Sequence, residues 1–235
     1  MQSLAFCRDG RTLISCSRDL TVRVWDISDG KEIRTLRGHP KTIREVAIHP
    51  DGQLLASASM DGTIRLWDLK SGQTVATLPH GGCVHGVAFS PDGTRLVAGG
   101  DSGDNCGTKI WNIPPEPSPK PLKCEPGGTV WSVAWSPDGR RIALGTAGRS
   151  VALVNPATGR DERKEASWPY SGGQAAVCAN GEAVASGTRP VVPMARCVFG
   201  TWQPARTARY GCRSLPCPSA TSSPASPLVR TAAVS

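Results

Sequence analysis

Short runs of apolar, β-branched residues alternate with tight-turn pairs along most of this chain. Val46 to Ile48 and Ile64 to Trp67 are such runs, and Asp51-Gly52, Asp61-Gly62 and Ser71-Gly72 separate runs of this kind. β-Branched and aromatic side chains suit a pleated, half-buried surface. Gly, and to a lesser degree Asp, accepts the positive φ that a two-residue hairpin turn requires. The pattern around these turns predicts four strands joined by hairpins, near residues 42–48, 53–59, 63–67 and 73–79.

The same unit returns along the chain. "SLAFCRDGRTLISCSRDLTVRVWDISDGKEIRTLRGH" is followed by "REVAIHPDGQLLASASMDGTIRLWDLKSGQTVATLPH". A third copy reads "HGVAFSPDGTRLVAGGDSGDNCGTKIWNI" and a fourth "WSVAWSPDGRRIALGTAGRSVALVNPATGR". Asp-Gly turns at Asp9, Asp51, Asp92 and Asp138 step by 42, 41 and 46 residues, and Trp25, Trp67 and Trp111 step by 42 and 44. One four-stranded sheet cannot bury both of its faces, so the copies must stack. A period of about 40–45 residues with a Trp-Asp dipeptide is the mark of β-propeller blades. The sequence therefore predicts an all-β propeller of four-stranded antiparallel blades. Its blades run 1–39, 40–81, 82–127 and 128–168, with a degenerate fifth over 169–188 that contains "AVCANGEAVASGT". Four to five blades make an incomplete ring, and residues 189–235 are expected to be a disordered tail.

Gly38-His39, the run from Ile48 through Ala58, Asp61 and Trp67-Asp68 stand in the order found in the WD-repeat family, which the chain resembles from residue 2 to about 166. The resemblance implies a buried hydrogen-bonded tetrad in the second blade, made by His39, Ser59, Asp61 and Trp67. The indole offers one donor. Ser59 would accept it and donate to His39, whose other nitrogen would reach Asp61. The first blade offers Ser17, Asp19 and Trp25 without a preceding His. The third offers His80 and Trp111, with its turn lengthened from Asp101 to Gly107. The fourth has Val154 where the Trp would stand. Ser, His and Asp together also invite a catalytic triad. A triad needs an exposed nucleophile and an oxyanion hole, whereas this pattern lies between strands and repeats, so no catalysis is expected.

Composition narrows the function. The formal net charge is +8, but the six Arg from Arg189 onward have no acidic residue beside them. Without that segment 21 basic and 19 acidic residues remain. The patterned part is nearly neutral, which argues against a nucleic-acid footprint on the fold. Nine Cys occur without a CxxC pair. Cys83 lies between His80 and His85, yet no second ligand cluster completes a metal site. Neither metal nor cofactor is expected. There is no N-terminal signal-like apolar stretch and no long apolar run, so a cytoplasmic chain without membrane contact is the default. The segment 114–121, "PPEPSPKP", reads as a stiff connection, with a polyproline ligand as its alternative.

No phosphate loop, paired catalytic carboxylates or HExxH motif is present. The expected function is a scaffold that binds a partner protein or peptide on the propeller face. The alternative is a sensor or targeting module from a larger multidomain enzyme such as a kinase. Arg44, His85 and Trp131 each follow an apolar residue at the start of an innermost strand, and the resemblance places them at one mouth of the central channel. The turns at Arg18, Met60 and Asp101 to Asn105 should rim the same face. An open arc would expose a blade face and favour self-association, or a further fragment closing the ring. The tail is rich in Ala, Arg, Pro, Ser and Cys, and a shifted frame across Thr201 to Cys212 can spell "VAAGTDGTVRV". Residues 189–235 are therefore read as out-of-frame translation of a former blade, which coding DNA would test.

Overall fold

The computed structural model describes residues 1–101, 107–113, 122–124, 128–147, 151–165, 173–177, 183–188 and 197–201. Strands are the regular elements of these residues, arranged in five antiparallel sheets. The first sheet contains β1 (Ser3–Phe6), β2 (Thr12–Cys16), β3 (Thr21–Asp26) and β4 (Lys31–Arg37). The second contains β5 (Ile43–Ile48), β6 (Leu54–Ser59), β7 (Thr63–Asp68) and β8 (Thr74–Pro79), each within a residue or two of its expected position. The third contains β9 (Val84–Phe89), β10 (Arg95–Gly100), β11 (Thr108–Asn112) and β12 (Leu122–Cys124). The fourth contains β13 (Val130–Trp135), β14 (Ile142–Thr146), β15 (Val151–Val154) and β16 (Asp161–Glu165). In the fifth, β17 (Gly173–Val177) pairs with β18 (Ala183–Thr188), which pairs with β19 (Cys197–Thr201). This sheet thus includes a strand past residue 188, where the repeat was expected to stop. The remainder of the tail, the Pro-rich segment 114–121 and residues 102–106 of the lengthened turn lie outside the described residues.

The repeating turns have a common cause. Asp9, Asp51, Asp92 and Asp138 each accept the backbone N–H two residues on, at 2.8–3.0 Å. The glycines that follow them have φ between 64° and 75°, which a side chain resists. Each sheet runs in simple order from its first strand to its last, and the first strands β1, β5, β9 and β13 lie side by side. These first strands are the innermost ones, and the chain is an incomplete β-propeller.

The core lies between blades rather than within them. Ile14, Val22, Val24 and Leu36 of the first blade pack on Ile43, Val46, Leu55 and Trp67 of the second. Ala56, Leu66 and Leu78 of the second meet Val84, Val87, Leu96 and Trp111 of the third. Val97 and Ile110 then meet Val130, Val133 and Ile142. The register makes Leu4, Val46, Val87 and Val133 equivalent positions. Val46, Val87 and Val133 are at most 6% exposed, while Leu4 is 45% and nearby Phe6 66% exposed, because no described sheet covers that face of the first blade.

Two irregularities recur. In β5, β9 and β13 the pairing register slips once, leaving Arg44, His85 and Trp131 without a directly opposed partner. In β4 and β8 it slips again, leaving Ile33 and Val75 unopposed and more than half exposed. A bulge of this kind re-aims the side chain of its extra residue.

Candidate functional site

The tetrad of the second blade exists, but with a different serine. His39 Nδ1 donates to Asp61 Oδ2 at 2.6 Å, and its Nε2 meets Ser57 Oγ at 2.8 Å. Trp67 Nε1 donates to the same Ser57 hydroxyl at 2.8 Å. Ser59 is not the bridging residue. Its hydroxyl donates to the carbonyls of Lys41 and Thr42 and accepts the Asp61 N–H. The register explains the difference: Trp67 stands opposite Leu55, so its indole reaches the diagonal neighbour Ser57, two residues along the same face, and not Ser59, four along. The correction repeats in the first blade, where Trp25 Nε1 donates to Ser15 at 2.8 Å rather than to Ser17. Ser17 instead accepts the Asp19 N–H, and Asp19 binds Thr21 and Arg23.

Burial lowers the pKa of His39 against the pull of Asp61, so the imidazole is neutral. With Nδ1–H given to Asp61, Nε2 is the acceptor and Ser57 donates to it. Burial alone would raise the Asp61 carboxyl, but the hydrogen bonds of Thr63 and His39 outweigh it and the net shift is downward. Every polar atom of the network has a partner, and both His39 and Ser57 are buried.

The third blade keeps only the outline of this network. Its His80 and Trp111 rings lie 6.4 Å apart, against 6.3 Å for His39 and Trp67. At the position of Ser57 it has Ala98, because Leu96 opposes Trp111 as Leu55 opposes Trp67. Trp111 Nε1 and one His80 ring nitrogen thus lack the hydroxyl that Ser57 supplies in the second blade, and neither His80 ring nitrogen is hydrogen-bonded to a side chain among the described residues. Burial, helped by the nearby Lys109 ammonium, holds the His80 pKa down to about 4. In the fourth blade Val154 fills the Trp place and is buried.

The bulges of the innermost strands lie at the end of the sheets where the family resemblance expects a channel mouth. Equivalent positions carry Gln2, Arg44, His85 and Trp131. Arg44 Nη1 donates to Gln2 Oε1 at 3.4 Å, linking the first two blades. His85 and Trp131 stack with ring centroids 4.4 Å apart, linking the third and fourth. Trp131 is 39% exposed, so it is not ordinary packing between blades. His85 is buried, with Nε2 bonded to Asp101 Oδ1 at 2.8 Å. It lies beneath the Trp131 indole. The turns of Arg18, Met60 and Asp101 lie at the same end: the Met60 N–H donates to Thr42 O, just ahead of β5, and the Asp101 N–H to Cys83 O, just ahead of β9. Arg18 is exposed; Met60 is half-buried, and its carbonyl accepts from the Cys83 thiol at 3.5 Å.

Two residues of this region escaped the sequence reading. Leu20 follows Asp19 where Gly62 follows Asp61, and takes φ 70° with a 37% exposed side chain. The departure from Asp-Gly to Asp-Leu was its only signal. Glu45, next to the Arg44 bulge, reaches across to the third blade, where its Oε2 accepts the Val87 N–H at 2.9 Å. Gly86 makes room for it: a Cβ there would lie 3.2 Å from Glu45 Oε2 and 3.1 Å from Val133 N. Burial pushes the Glu45 carboxyl up to about 7 against that hydrogen bond.

Stacked four-stranded sheets, one of them carrying a Trp–Ser–His–Asp network, define a WD-repeat β-propeller. The particular family follows from comparison with known sequences: the model of the IFT122 first β-propeller matches residues 1–187, and the chain belongs to that family. It is also similar to nuclear distribution protein PAC1 of Ajellomyces capsulatus, 46% identical over 110 residues that make up 46% of this chain and 24% of that protein. PAC1 of Gibberella zeae is 50% identical over 38 residues, 16% of this chain and 8% of that protein. The 26S proteasome regulatory subunit RPN14 of Saccharomyces cerevisiae is 43% identical over 45 residues, 19% of this chain and 11% of its own length. The aligned part of the chain thus spans about a quarter or less of the length of these three relatives. Among the described residues no helix is long and apolar enough to cross a membrane.

Proposed function

We propose that this chain is a protein-interaction scaffold that binds a partner protein or peptide at the channel mouth and catalyses no reaction itself. The observation that carries this reading is the exposed indole of Trp131, stacked on the buried His85 ring that Asp101 holds, at the end of an innermost strand. Exposed Trp and Arg on a rigid surface are frequent binding hot spots. Among the described residues, the Ser, His and Asp found together are those of the buried tetrad, in which the Ser57 hydroxyl already serves Trp67 and His39. That arrangement suits architecture better than nucleophilic attack. The basic excess falls after Thr188, which favours a protein partner over nucleic acid, and we assign the scaffold to the cytoplasm. Trp131→Ala should weaken partner binding at least tenfold by surface plasmon resonance with unchanged far-UV circular dichroism. Undiminished binding by a folded variant would exclude the mouth as the site.

A further inference from the structure

The charges at the channel mouth are not balanced. Each acidic group of this face among the described residues is already engaged within the fold. Asp19 is held by Thr21 and Arg23, Asp61 by His39 and Thr63, Asp101 by His85, and Glu45 by the Val87 N–H. The cations are not so engaged. Arg18, Lys41 and Arg44 have no carboxylate partner among the described residues, and the side-chain contact of Arg44 is the neutral Gln2 amide. Arg18 and Lys41 are exposed, and Arg44 is half-buried with its bulge aiming it at the mouth. Two apolar side chains lie on the same face, Leu20 at 37% and Trp131 at 39% exposure. Leu20 holds a left-handed conformation that is unfavourable for a non-glycine residue, at a place where the second blade uses Gly62. Strain of this kind tends to persist where a side chain has a use.

We infer that the partner segment at this mouth is acidic and carries at least one large apolar side chain. Its carboxylates meet Arg18, Lys41 and Arg44, and its apolar residue meets Trp131 or Leu20. The guanidinium of Arg44 has donors free for a bidentate carboxylate contact. This assignment rests on the mouth being the binding face, and adds the sign of the partner's charge.

The test uses the full chain and fluorescein-labelled synthetic peptides: Glu-rich sequences with one Phe or Leu, and Lys-rich counterparts with the same apolar residue. Anisotropy is read at low and at physiological salt. The Glu-rich peptides should bind, weaken several-fold with added salt, and lose on the order of tenfold with Arg44→Glu or Lys41→Glu. Arg140→Glu alters net charge equally but lies in the β13–β14 turn at the other end of the strands, and should leave binding unchanged. If Arg140→Glu costs as much as Arg44→Glu, binding reads net charge and the proposal falls. If the Lys-rich peptides bind better and depend on Trp131, the mouth is the site but its partner is not acidic. If neither set binds, the mouth reading and the acidic partner fall together.

Discussion

Replacing Glu45 with Gln should make the protein more stable at alkaline pH and leave it nearly unchanged in acid. The carboxyl is enclosed between the second and third blades, with the Val87 N–H as its hydrogen-bond partner and, among the described residues, no ion pair. Its pKa rises from 4.5 to about 7 in the fold. A raised folded pKa means that the native state holds this proton more tightly than the unfolded chain. Stability from this group is full below 4.5 and is lost as pH rises towards 7. At about 1.4 kcal/mol per pH unit, the span corresponds to roughly 3 kcal/mol. That is an upper bound, because Glu45 keeps partial solvent exposure. Gln keeps a carbonyl oxygen for Val87 and removes the charge. Urea titrations followed by Trp fluorescence should therefore show Glu45→Gln ahead by about 1–3 kcal/mol at pH 8, with the gap closing near pH 4.5. Because other groups titrate equally in both proteins, the difference isolates Glu45. A variant no more stable at pH 8, or a gap that stays constant with pH, would refute the argument that burial governs this carboxyl.

Three further outcomes follow from the packing of the blades. Ser57→Ala should cost about 1–3 kcal/mol, by orphaning Trp67 and His39, while Ala98→Ser should gain about 1 kcal/mol by giving His80 and Trp111 the hydroxyl they lack; thermal melts of the pair check both, and an Ala98→Ser protein that melts lower would show that the third blade has no room for the oxygen. Leu4→Lys combined with Phe6→Lys should shift the chain towards monomer in sedimentation velocity, whereas a wild-type chain that is already a monodisperse, cooperatively melting monomer would show that this face drives no association.

The fold was legible because the information is repeated. Trp25, Trp67 and Trp111, with the Asp-Gly turns, fix four copies of one sheet, and errors in any copy are corrected by the others. The tetrad was legible in type but not in residue. Ser57 and Ser59 lie on the same face of β6, and only the register of Trp67 opposite Leu55 selects between them. His85 looked equivalent to Trp131 by position, yet the Asp101 carboxylate and the indole enclose it. Glu45 gave no signal at all, since its environment is made by Gly86 and Val87 of another blade, 41 and 42 residues away. Interactions inside a blade are written as local spacing; those between blades are not.

The bulges of the innermost strands separate two kinds of evolutionary freedom. Residues in the paired register must match a neighbour across the strand and a blade behind it, so the equivalent positions Leu55 and Leu96 carry the same side chain. Gln2, Arg44, His85 and Trp131 stand outside that register and share neither size, charge nor shape. On the proposed binding face, a substitution at Arg44 or Trp131 rewrites the surface offered to a partner while leaving the paired register of the strand in place. The propeller can in this way acquire a new binding preference by single codon changes, one blade at a time, without first having to relearn how to fold.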